Sequence, residues 1–139
     1  MLFFTLNNSF IKMEEIFYSE NHFWISVEDN IATVGITENI LDTFSIVNSI
    51  DLPNISVICS QTELIGNIIY DENRTLELFA PVSGEVISSN ELLIDNPEQL
   101  LNFDKNINWL FKIALSNEAE LQALMTEEEY ENYVNGDDK

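Results

Sequence analysis

The sequence predicts a mainly β domain closed by a C-terminal helix. Short runs of β-forming residues recur along the chain with turn formers between them. Only the last segment, Asn117 to Val134, spaces its apolar residues Leu121, Leu124, Met125, Tyr130, Tyr133 and Val134 near a helical period, with acids between them. Length is the third observation: 139 residues, 45% of them hydrophobic and 22% charged, suffice for one core and not for two. A small two-sheet sandwich or flattened barrel with a helix on the sheet satisfies all three.

In chain order, residues 1–12 precede a second methionine, Met13, and read as an N-terminal extension without an assigned function. Residues 13–134 read as the domain and 135–139 as a disordered tail. Phe17 to Val27 and Ile31 to Gly35 form a hairpin around Glu28-Asp29-Asn30. Thr37 caps a short helix that carries Ile40, Leu41 and Phe44. Ile46 to Leu52 and Ile55 to Cys59 are strands on either side of Pro53. Leu64 to Tyr70 pairs with Thr75 to Phe79 across the polar turn Asp71 to Arg74, where Asp and Asn hydrogen-bond their own backbone. Ala80-Pro81-Val82-Ser83-Gly84 is a further turn, with Pro81 fixing φ and Gly84 supplying a positive φ. Gly84 to Ser88 and Trp109 to Leu115 are the last strands, separated by an acidic stretch with a turn at Asn96-Pro97.

Charge and composition narrow the function. A net charge of −20, from 25 acids against 5 bases, repels phosphate backbones and anionic lipid, so neither nucleic acid nor a membrane surface is an expected partner. The same field favours a basic protein partner. The lone Cys59 lies in the strand-like run Ile55 to Cys59 and reads as a core thiol. No apolar run is long enough to span a bilayer, and the opening residues lack a secretory pattern, which points to the cytoplasm. One His and one Cys give no metal cluster. Glu127-Glu128-Glu129 is a solvated helix start and lacks the alternating Asp/Asn loop of a calcium site. Four glycines leave no phosphate loop, and no pair of carboxylates is marked as catalytic, so an enzyme is not expected.

From about Tyr18 to Val134 the chain resembles the glycine cleavage system H protein family. The resemblance rests on His22-Phe23-Trp24, Ile31-Ala32-Thr33-Val34-Gly35-Ile36-Thr37, Asp51-Leu52-Pro53, Ala80-Pro81-Val82-Ser83-Gly84-Glu85-Val86, Asp95-Asn96-Pro97-Glu98, Trp109-Leu110-Phe111-Lys112-Ile113 and Glu127-Glu128-Glu129-Tyr130. It implies a lipoyl-type barrel-sandwich hybrid of two small antiparallel sheets for residues 13–134. It also implies a carrier rather than a catalyst, with lipoate on a lysine in a hairpin turn. Counting back eight residues from Pro81 reaches Asn73, and counting six forward from Gly66 reaches Glu72. Neither is a lysine, and the adjacent Arg74 stays protonated and cannot be acylated in its place.

Glu72, Asn73 and Arg74 therefore occupy the lipoyl-turn positions without an attachment point, and no cofactor is expected. The four lysines, Lys12, Lys105, Lys112 and Lys139, all lie elsewhere. Further departures are Phe23 for the acid of a His-Glu-Trp motif, Ser45 for a glycine, and Asn106-Ile107-Asn108 for a glycine-rich loop, whereas Glu77 keeps an acid. His22 and Trp24 are either groove residues or half-buried neighbours on one strand face. Phe79, Trp109 and Phe111 read as core. The expected function is a binding or adaptor module for glycine cleavage or lipoate-attachment enzymes; the alternative is a genuine lipoyl-bearing aminomethyl carrier of the glycine cleavage system.

Overall fold

The computed structural model describes residues 3–6 and 9–12 by their backbone and residues 14–136 in full. Strands β1 (Phe3–Leu6) and β2 (Ser9–Lys12) form a two-stranded antiparallel ladder within the N-terminal extension.

The domain itself is built from two antiparallel sheets. The larger contains β3 (Glu15–Tyr18), β4 (Phe23–Glu28), β5 (Ile31–Ile36), β7 (Ile58–Cys59), β10 (Gly84–Ser89) and β11 (Phe111–Leu115), in the order β3-β4-β5-β11-β10-β7. The smaller contains β6 (Val47–Asp51), β8 (Leu64–Tyr70) and β9 (Arg74–Phe79), with β8 in the centre. Strand alternation sends one face of each sheet into a shared core. Ile25, Val27, Val34, Val86, Phe111 and Ile113 of the larger sheet meet Ile68 and Leu78 of the smaller, all essentially without exposed surface.

Several elements differ from the sequence reading. Phe17 to Val27 is not one strand: Ser19 turns the chain, its amide donating to the Phe23 carbonyl at 3.0 Å and its hydroxyl accepting from the Phe23 amide at 3.2 Å. β3 and β4 thereby become paired neighbours, with Tyr18 opposite Trp24. The β4–β5 hairpin closes as expected through Asp29 and Asn30, both at positive φ, as a two-residue primed turn requires. Ile55 to Cys59 yields only the short β7, because Ser56 adopts φ 80° and breaks the run.

The acidic stretch after β10 folds into helical turns instead of a loop: α2 (Glu91–Asp95), a 3-10 turn at Pro97–Leu101 and α3 (Lys105–Asn108). Leu93 and Leu100 anchor them with no exposed surface. Thr37 does stand at the N-cap of α1 (Glu38–Leu41), but its side chain caps nothing there.

The terminal segment is not one helix either. A 3-10 turn, Glu118–Ala123, is followed by extended backbone, where Met125 exchanges two backbone hydrogen bonds with Tyr18 at 2.7 and 2.8 Å. Thr126 then opens α4 (Glu127–Asn135) with a capping box to Glu129. Asn135 is the last helical residue, and Gly136, at φ 72°, caps the helix. The rest of the expected tail, residues 137–139, lies outside the described residues.

Gly84 is required on two counts. Its φ is +154°, and a Cβ there would sit 2.0 Å from the Ala114 carbonyl oxygen. The turn ahead of it is clamped by Glu120, whose carboxylate accepts from the Ser83 amide and hydroxyl, both at 2.7 Å.

Candidate functional site

The β8–β9 hairpin carries the positions singled out by sequence. Tyr70 pairs with Arg74, leaving a three-residue loop of Asp71, Glu72 and Asn73. All three have left-handed backbone, at φ 38°, 59° and 73°. Asp and Asn tolerate this region; Glu72 does so only under strain of order 1–2 kcal/mol. Counts from Gly66 and from Pro81 reach different residues, but both residues lie in this loop. The Glu72, Asn73 and Arg74 side chains are exposed.

Asp71 is buried to an intermediate degree and is aimed back at the protein. Its Oδ1 accepts from the Ser45 amide at 2.9 Å and the Ile46 amide at 2.7 Å, and its own amide donates to the Ile46 carbonyl at 3.0 Å. Beneath it, Phe44 stacks on Tyr70 with centroids 4.0 Å apart and planes 15° from parallel. The hairpin end is thus fastened to the segment containing Ser45. In the sequence, Ser45 stands out as a departure from the family, whereas Asp71 shows no role beyond turn formation. Glu77 is an exposed strand carboxylate, as expected.

His22 and Trp24 do not share a strand face. His22 lies before β4 at φ 70°, while Trp24 is inside β4 and only 4% exposed. The Trp24 ring packs over Gly35, where a Cβ would come within 2.3 Å of it. His22 Nδ1 lies 2.9 Å from the Tyr130 hydroxyl, which is also 2.8 Å from Thr37 Oγ1. Burial pushes the His22 imidazole below its ordinary value of 6.5. In the Nε2–H tautomer of the neutral ring, Nδ1 accepts the phenol proton and the phenol oxygen is left to accept from Thr37. Burial also raises the Tyr130 phenol. The sequence signal for this network is slight: Tyr130 stands among the apolar positions of a helix and closes the Glu127-Glu128-Glu129-Tyr130 run, with nothing to tie it to His22 or Thr37. Phe23, by contrast, is fully a core residue at 1% exposure.

The expected aromatic core stripe is divided. Phe111 is buried, Phe79 packs at the core margin, and Trp109 is half-buried under Lys112, whose Nζ sits 5.1 Å from its ring centroid. Asn106-Ile107-Asn108 lies in α3, whose Asp104 cap accepts from the Asn106 amide at 2.9 Å. Lys105 in α3 and Lys112 in β11 belong to the side of the larger sheet, apart from the β8–β9 hairpin. Cys59 is buried and its thiol is raised by that burial.

A family model described as Glycine cleavage H-protein matches residues 16–137. The chain belongs to the glycine cleavage H-protein family. Curated relatives named glycine cleavage system H protein agree with this assignment. That of Alcanivorax borkumensis is 32% identical over 123 residues, covering 88% of this chain and 95% of the relative. Those of Thermotoga maritima and Staphylococcus saprophyticus are 33% and 35% identical, over 84% and 86% of this chain and 93% and 94% of theirs. The crystal structure of a glycine cleavage system H protein from Mycobacterium marinum superposes with a TM-score of 0.76 at 23% identity, over 88% of this chain and 97% of that one, and supports the lipoyl-type barrel-sandwich fold. Among the described residues of this H-family chain, no helix is long and apolar enough to cross a membrane.

Proposed function

We propose that this H-family protein acts without a lipoyl arm of its own, as a cytoplasmic, non-catalytic module that docks glycine cleavage or lipoate-attachment enzymes. One observation carries the reading: the loop at the β8–β9 hairpin consists of Asp71, Glu72 and Asn73, followed by Arg74, and offers no acylable amine. The scaffold around the loop is kept, including the Pro81 turn and its Gly84 contact, so a docking face can outlast the arm. The net charge of −20 suits a basic protein partner and disfavours nucleic acid and anionic membranes. Residues 13–134 form the docking domain in this reading, and residues 1–12 are an appendage to it.

The competing reading, a genuine aminomethyl carrier, needs lipoate on another lysine. Lys105 lies over the Trp24 ring and Lys112 over the Trp109 ring, and neither lysine is at a hairpin end. Intact mass after co-expression with a lipoate ligase separates the two readings: an unmodified chain is expected, and a gain of one lipoyl group overturns the proposal. Asn73→Lys then tests the docking face. Lipoylation of the variant is expected; a folded variant that no ligase modifies counts against a surviving face.

A further inference from the structure

A pocket of about 240 Å³ opens between the start of α1, α3 and one side of α4. Four aromatic residues line it: Tyr18, Trp24, Phe103 and Tyr130. Tyr18 and Tyr130 stack with centroids 4.7 Å apart and planes 11° from parallel, and Phe103 keeps 42% of its surface exposed. Glu38, Glu127 and Glu131 add three carboxylates. Their sign is felt inside, since the Tyr18 phenol is held above its ordinary value of 10.0 by burial first, and then by Glu127, Tyr130 and Glu131.

A cation already rests on one of these rings. Lys105 Nζ lies 5.1 Å from the Trp24 centroid, inside the range of about 6 Å over which a ring face attracts positive charge. Asn108, only 3% exposed, lines the same pocket. Its Nδ2 donates to the Leu100 carbonyl at 3.2 Å, and its Oδ1 is a buried acceptor without a partner among the described residues. An orphaned buried acceptor calls for a donor. The cavity falls a little under the roughly 300–1,000 Å³ that houses a whole drug-sized ligand, so it suits a head group.

We propose that this pocket binds the protonated amino group of an alkylamine. The aromatic rings take the cation and its methylenes, Glu127 and Glu131 offset its charge, and Asn108 Oδ1 accepts one N–H. Lys105 is the resident occupant and a competitor for the Trp24 face. A free alkylamine and a lysine side chain of a partner protein present the same group.

The test titrates the full chain with n-butylammonium chloride, in a Trp109→Phe background that leaves Trp24 as the sole indole, and follows its fluorescence. Sodium chloride at matched ionic strength is the control, and N-acetyl-lysine amide is the second ligand. A saturable response to n-butylammonium, beyond that of sodium chloride, is expected. Phe103→Ala and the pair Glu127→Gln, Glu131→Gln weaken it, and Lys105→Met strengthens it, each about two- to fivefold. All four positions are exposed, and circular dichroism checks that the variants fold. A response no larger than that of sodium chloride, one that these substitutions leave unmoved, or weaker binding in Lys105→Met overturns the proposal. Tighter binding of the lysine amide supports it and assigns the site to a partner's side chain; tighter binding of n-butylammonium supports it and assigns the site to a free amine.

Discussion

Asp71 accepts the amide proton of Ser45 on both carboxylate oxygens, at 2.9 and 3.2 Å. With the 2.7 Å bond from the Ile46 amide, it ties the end of the β8–β9 hairpin to the segment before β6. Asp71→Ala removes this tie. The expected loss is about 1–2 kcal/mol, a carboxylate hydrogen-bond contribution reduced by partial exposure, which lowers the melting temperature by several degrees. Faster amide exchange at Ser45 and Ile46 is the local readout, and unchanged exchange there refutes the tie.

The Tyr130 hydroxyl serves both His22 and Thr37. Tyr130→Phe keeps the stacked ring and leaves the buried Thr37 hydroxyl without its partner, costing about 1–3 kcal/mol. Chemical denaturation of the two proteins checks this.

Acid should weaken the same corner. Burial lowers the folded-state value of His22 below its ordinary 6.5, so the unfolded chain binds the proton more readily. Its contribution is fully present above about pH 6.5 and is lost as the pH falls through that value toward the lower folded one. Asn tolerates the left-handed backbone at position 22, so His22→Asn serves as the reference. The difference in stability between wild type and variant should shrink on acidification from pH 7.5 to pH 5; a difference independent of pH sinks the assignment.

Deleting residues after Met125 removes α4, including Tyr130, which is 5% exposed. A large buried side chain contributes ~1.5 to 3 kcal/mol, so this truncation should lower the melting temperature more than removal of residues 1–12. The reverse order would misplace the core.

Gly84→Ala should be among the costliest single changes, at about 2–4 kcal/mol. The methyl would meet the Ala114 carbonyl oxygen at 2.0 Å, and backbone cannot move aside as a side chain can. Loss of soluble, cooperatively unfolding protein is the expected result.

Much of this architecture is legible in the sequence where local chemistry and global pairing agree. Asp29-Asn30 turns a hairpin by itself, Gly84 needs its own φ, and Leu64 to Tyr70 faces Thr75 to Phe79 across a polar loop. Legibility ends where a residue's partner is remote. Ser19 bends an apparently continuous strand through bonds to Phe23, and the apolar pattern of the last segment hides a break that only the Met125 to Tyr18 pairing explains. The Thr126 to Glu129 capping box at the true helix start is a local signal that the apolar spacing of the whole segment overrides in the sequence reading. At the candidate site, the missing amine is plain in the residues themselves. The Asp71 tie, with partners 25 and 26 positions away, is not.

The contact between His22 and Tyr130 spans 108 positions of the chain, and the Tyr18 to Met125 bridge beside it spans nearly as many. During synthesis on a ribosome, β3 and the start of β4 emerge early but cannot finish this corner until α4 has left the exit tunnel. Until then an edge strand and its aromatic side chains stand open to other chains. The late helix α4 thus acts as a completion signal for the early strands β3 and β4, and a chain that stops short of it is exposed as such by the unpaired edge it displays.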